Sequence, residues 1–271
     1  MEAGSAPTPL LSATGVSRRF GSIHALREID FELRRGEIMA LLGENGAGKS
    51  TLVKILAGII QADSGTIAID GKPVDLRTPS RSLSAGIAVV QQELSLVPTL
   101  SVAENVFLGG RRFRGPWTRG RLVQAARPFL DRVGLAALDP ATPVEKLSVA
   151  YRQRVEIARL IAREARILIL DEPTAALSDI EIERVKEVVH NLADEGHAVI
   201  YVKHRLGEVF EIADRVTVFR NGASQAPVPV SGLTMATLIE RILGRSLQAM
   251  FPSRASMLGE RVLSVDDLET E

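Results

Sequence analysis

Short apolar runs rich in Ile and Val recur at residues 38–42, 87–90, 167–170, 198–202 and 216–219, with helix-compatible stretches between most of them. Runs of four or five apolar residues without alternation suit strands buried on both faces. The pattern therefore predicts a largely parallel sheet covered by helices. Ahead of the first run, "GVSRRFGSIHALREIDFELRRGE" alternates apolar and polar positions between turn residues, as a partly exposed antiparallel layer does. From about residue 101 to 163 the strand signal stops, and "SVAENVFLG", "LVQAARPFLDRVGL" and "EKLSVAYRQRVEIARL" follow the helical period instead. An all-helical insertion in an α/β core is the expectation.

After Gly222 the pattern loosens, resumes as a helix near 235–243 and thins again at "FPSRASMLGER". The expected divisions are a disordered leader over residues 1–9, a domain over 10–248 with its helical part at about 95–163, and a linker with one strand over 249–271. That final "RVLSVDDLETE" echoes "LLSATGVS" near the start, as the first strand of a second, similar unit would.

Composition narrows the chemistry. Lys plus Arg equals Asp plus Glu at 33 each, so the whole chain offers no net field for nucleic acid or anionic lipid. Without Cys there are no disulfides, no thiolate chemistry and no Cys-ligated zinc, which is compatible with a reducing compartment. The four His residues, 24, 190, 197 and 204, are scattered, which argues against a His-rich metal site. "MEAGSAPTPLLSA" lacks the basic and apolar regions of a signal peptide. No apolar run approaches the roughly 18 residues of a membrane span.

The candidate chemistry sits at strand ends. "LLGENGAGKST" fits G-x-x-x-x-G-K-[ST] through Gly43, Gly48, Lys49 and Ser50. A buried strand feeding a glycine-rich turn points backbone N–H groups inward, Lys49 adds a point charge, and the Ser50 hydroxyl suits magnesium. The helix starting near Gly48 adds its own unsatisfied amides and dipole. "ILILDEPT" ends a second apolar strand in paired carboxylates. Alone these would read as a helix cap or loop charge, but downstream of a phosphate loop Asp171 suits magnesium and Glu172 suits polarising an attacking water. His204, just past "AVIYV", would stand at the same sheet edge, where ligands of open α/β sheets bind.

Together these stretches resemble the ATP-binding cassette (ABC) ATPases over residues 10–245. The resemblance implies a P-loop core with a mixed, largely parallel sheet, an antiparallel β layer and the inserted helical subdomain. It implies ATP and Mg2+ as cofactors. ATP would be held by Phe20, stacking on adenine, and by Gly43, Glu44, Asn45, Gly46, Ala47, Gly48, Lys49, Ser50 and Thr51. Gln92 in "VVQQELSL" would join Ser50 and Asp171 at the metal, and Glu172, His204 and Gln92 would be the catalytic set. "LSVAYRQ" takes the signature position, so Ser148, Val149, Ala150 and Tyr151 would act on the site of a partner cassette.

A narrower resemblance, carried by "QQELSLVPTLSVAENVFLG", "LSVAYRQRVEIARLI", "DEPTAALSDIEIERV" and "HRLGEVFEIADRVTVFRNG", is to the carbohydrate-import branch, whose polypeptides carry two cassettes in tandem. This chain resembles the N-terminal one. The implied partners are a second cassette, transmembrane permease subunits and, indirectly, an extracytoplasmic solute-binding protein. The implied place is peripheral, on the cytoplasmic face of the bacterial inner membrane. Other members act on ribosomes or DNA, and a regulatory cassette that closes but barely turns over is a third reading.

Three positions depart from the usual family pattern. Val149, Ala150 and Tyr151 replace two glycines and a glutamine, so this helix start should grip phosphate less closely, with Ser148 kept as a cap. Lys203 stands where Ser is usual and should face away from the phosphate, leaving a tolerated surface change or altered hydrolysis as readings. Ser178 replaces a common Asp. Finally, "GGRRFRGPWTRGR" interleaves Arg with Phe113 and Trp117, a single-strand nucleic-acid pattern or, with zero net charge, a solvated loop facing a permease or lipid head groups.

Overall fold

The computed structural model describes residues 8–91, 95–110, 118–174, 177–203 and 206–245. The expected leader over residues 1–9 falls mostly outside this range. So do the second-unit strand, Gln92, His204, Phe113 and Trp117. In chain order the strands are β1 (Leu11–Phe20), β2 (Ile23–Leu33), β3 (Ile38–Gly43), β4 (Ser64–Ile69), β5 (Lys72–Pro73), β6 (Ile87–Val90), β7 (Ile167–Asp171), β8 (Ala198–Val202), β9 (Arg215–Arg220), β10 (Ala223–Ser224) and β11 (Val228–Pro229). The helices are α1 (Lys49–Leu56), α2 (Pro79–Ser84), α3 (Val102–Phe107), α4 (Arg119–Arg132), α5 (Val149–Ala162), α6 (Asp179–Asp194), α7 (Leu206–Ile212) and α8 (Met235–Leu243).

All five apolar runs are strands of one sheet, ordered β10-β9-β3-β8-β7-β6 with β11 also beside β9. The pairs linking β6, β7, β8, β3 and β9 are parallel, and β10 and β11 run antiparallel to β9. The absence of alternation in these runs is explained by burial on both faces. In β8, Ile200 and Val202 pack with α1 and the antiparallel sheet, while Val199 and Tyr201 pack with α5 and α6. β7 divides in the same way, Ile167 and Ile169 to one side, Leu168 and Leu170 to the other.

The second sheet is antiparallel, in the order β2-β1-β4-β5. Its first hairpin is where the alternation places it. The β4–β5 pair carries no comparable sequence signal, because β4 buries only Ile67 and Ile69. Between β6 and β7 the chain forms α3, α4 and α5. α3 opens on a capping box, Glu104 N–H donating to the Ser101 hydroxyl at 3.3 Å and Ser101 N–H to the Glu104 carboxylate at 2.8 Å. A buried ion pair ties α5 to the segment that leaves β6. Glu156 accepts from Ser95 N–H at 2.7 Å and pairs with Arg159, whose guanidinium donates back to the Ser95 carbonyl at 3.1 Å.

Candidate functional site

Because β3, β7 and β8 are parallel neighbours, their carboxyl ends share one sheet edge. β3 ends at Gly43, where the chain turns through Gly43, Gly46 and Gly48, all with positive φ. Neither Gly43 nor Gly48 admits a side chain: an added Cβ would lie 2.2 Å from the Phe219 carbonyl oxygen at Gly43 and, at Gly48 with φ 111°, 2.7 Å from both the Ala25 carbonyl oxygen and Leu26 Cδ2 of β2. α1 starts directly after it with no side-chain cap, so the amides of its first turn are left to another acceptor. Glu44, Asn45 and Gly46 are exposed at the tip, Ala47 and Gly48 are buried, Ser50 is exposed and Thr51 half-buried.

Lys49 is 6% exposed, and its ammonium donates to the carbonyls of Gly43 at 2.7 Å and Glu44 at 3.0 Å. Burial pushes its pKa below the usual lysine value, while the charges of Glu172 and Asp171 pull it back up. Both carboxylates are thus within electrostatic reach of Lys49. Asp171 closes β7 opposite Val202 of β8. Glu172 is bent into the left-handed region at φ 50°, its N–H donating to the Val202 carbonyl at 3.0 Å.

The turn after β9 buttresses the loop. Gly222 N–H donates to the Ala47 carbonyl at 3.1 Å and its carbonyl accepts from Arg27 N–H at 2.7 Å. This support was missed from the sequence, although the Asn221-Gly222 pair after a strand is a turn signal. Phe20 stands at the tip of the β1–β2 hairpin, 45% exposed, with the Arg18 guanidinium 4.9 Å from its ring centroid. Its partner strand β2 is the one that passes Gly48.

Ser148 lies apart from this edge, as the N-cap of α5, its hydroxyl accepting from Tyr151 N–H at 3.5 Å. Val149 and Tyr151 are exposed and Ala150 is buried. The Arg154 guanidinium lies 4.7 Å from the Tyr151 ring centroid. Ser178 caps α6, its N–H and hydroxyl both donating to the Glu181 carboxylate, at 3.0 and 2.9 Å.

Lys203 is not a surface change. It is 3% exposed, and its ammonium pairs with Glu208 of α7 at 2.8 Å and contacts the Thr174 hydroxyl. It does lie on the helix-facing side, following Tyr201 in the alternation of β8. The sequence could not show this, because the counter-charge comes from the following helix.

The edge thus carries a glycine-rich turn, a buried lysine and two strand-end carboxylates. Residues 26–175 match the sequence profile of the ABC transporter family. The chain belongs to that family. The ribose import ATP-binding protein RbsA 1 of Streptomyces coelicolor is 45% identical to this ABC chain over 272 residues, covering 100% of the chain and 53% of that protein. A putative ribose/galactose/methyl galactoside import ATP-binding protein of Rhizobium meliloti is 42% identical, covering 95% and 51%. The chain spans about half the length of these relatives. Among solved structures, cbiO1 of Clostridium perfringens, part of the ABC transporter complex cbiONQ, superposes with a TM-score of 0.73 at 27% identity over 90% of this chain and 96% of that one.

Proposed function

We propose that the chain is an ATP-binding and ATP-hydrolysing cassette that powers import of a sugar or related small solute. The observation that carries this reading is the convergence of Lys49, Asp171 and Glu172 beside an uncapped helix start. Open donors and a buried cation suit the phosphates of a nucleotide. Glu172 suits a general base for water. The donor set also fits magnesium. Ser50 and Asp171, with Gln92 from outside the described residues, would hold it, leaving phosphates and water to complete its shell. Magnesium there would supply charge neutralisation on the phosphates. His204 would complete the catalytic set and Phe20 would stack on adenine.

The import proteins among the relatives favour this over an ATPase acting on ribosomes or DNA. A second cassette and a permease are the proposed partners. No helix among the described residues is long and apolar enough to cross a membrane, so the membrane-spanning part would belong to the permease. Ser148, Val149 and Tyr151, exposed at one helix start, suit a partner cassette's nucleotide, and exposed Ile180 adds an apolar contact close to the cap of α6.

MgATP at a hundred times its Kd should stabilise the wild-type chain by about 2.7 kcal/mol. Lys49→Ala should lose most of that gain in a thermal melt. Equal gains in both proteins would sink the proposal.

A further inference from the structure

Glu172 holds a left-handed backbone at φ 50°, a conformation that residues with side chains keep only where their surroundings over-determine it. The surroundings come from β8. Asp171 pairs with Val202 in the sheet, and the Glu172 N–H donates to the Val202 carbonyl at 3.0 Å. The next residue, Lys203, reaches back under the same segment. Its ammonium contacts the hydroxyl of Thr174, two residues beyond Glu172, and pairs with Glu208 at 2.8 Å. Thr174, 0% exposed, donates to that Glu208 carboxylate at 2.8 Å.

Three buried polar residues from the exits of β7 and β8 and from α7 therefore close one ring. The Tyr201 phenol lies beside Thr174 and Glu208, and burial pushes its pKa up. A buried ion pair is weak evidence for stability, since an apolar replacement of both partners often serves as well. What the ring does anchor is the backbone on either side of Glu172, whose own N–H is bonded to Val202 and whose second neighbour, Thr174, is held by Lys203 and Glu208.

We propose that Lys203 is a positioning residue for Glu172, setting its carboxylate for water activation through Thr174 and Glu208. This rests on the reading of Glu172 as the catalytic carboxylate.

The test compares the wild-type chain, Lys49→Ala, Lys203→Met and the double variant Lys203→Met/Glu208→Gln. The double variant removes both charges and so leaves no lone buried carboxylate. Lys203→Met should lower kcat for MgATP hydrolysis about ten- to hundredfold, with KM within about twofold. The double variant should recover the wild-type melting midpoint but not the rate, and the Glu172 amide should exchange with deuterium faster in both. A rate that returns together with the midpoint would show a brace for stability and overturn the proposal. A Lys49-dependent rate that Lys203→Met leaves intact would overturn it alone. Equal hydrolysis by wild type and Lys49→Ala would instead bring down the reading of the whole site.

Discussion

Two helices of this chain begin in opposite ways. α1 starts on Gly48 in a left-handed conformation with no side-chain cap, whereas α5 starts on Ser148, whose hydroxyl accepts from Tyr151 N–H at 3.5 Å. Every helix start leaves donors to be satisfied. At α1 the chain supplies buried Lys49 beside them and no oxygen from a side-chain cap, which is the arrangement behind the proposed phosphate site. At α5 the cap is present but long, and its surroundings are exposed. The first end is the one the proposed function assigns to a ligand of this chain. The second caps itself and lies apart from the edge that carries Lys49, Asp171 and Glu172.

The sharpest way to break the comparison is at the P-loop edge. Glu172→Gln keeps the size of the side chain and removes its basicity, so hydrolysis should fall about 10²- to 10⁴-fold while MgATP binding persists. Rapid phosphate release by this variant would place the base elsewhere. Gly48→Ala should cost roughly 2–4 kcal/mol in denaturant unfolding, from its positive φ and the collision with Ala25 and Leu26.

Effects at the α5 end should be smaller and of another kind. Ser148→Ala should lose about 1 kcal/mol of stability with its cap, and the stabilisation that MgATP gives the isolated chain should survive. A lost MgATP shift would mean that Ser148 serves the P-loop of its own chain. Smallest of all, Ser178→Asp should cost about 0.5 kcal/mol in unfolding free energy, because Asp also caps a helix but has no hydroxyl to donate to Glu181 and sets a second carboxylate against it. A larger drop would assign the Ser178 hydroxyl a task beyond Glu181.

The central sheet was legible because burial on both faces leaves an uninterrupted apolar run, as in "ILIL" of β7 and "AVIYV" of β8. The P-loop was legible because its glycines are required by local geometry. β4 was not, since its first three residues are exposed and only Ile67 and Ile69 reach the core. Nor was the burial of Lys203, because a charge next to an apolar strand is neutral evidence until its partner is known. Glu208 becomes that partner only when α7 folds back on the strand exit. The support of the P-loop by Gly222 was hidden for the same reason, being a contact between residues about 175 positions apart in sequence.

The placement of β3 between β8 and β9 also has a consequence for synthesis. Ile38 pairs with Val199, and Met39 with Arg215, so the strand that carries the P-loop leaves the ribosome about 160 residues ahead of either neighbour. At roughly 5–20 residues per second that is a wait of about 8–30 seconds. During this interval an apolar strand with two open edges must be kept from other chains. The nucleotide therefore has no finished pocket to shelter it early, and a nascent cassette halted before residue 198 should bind ATP no better than an unfolded one.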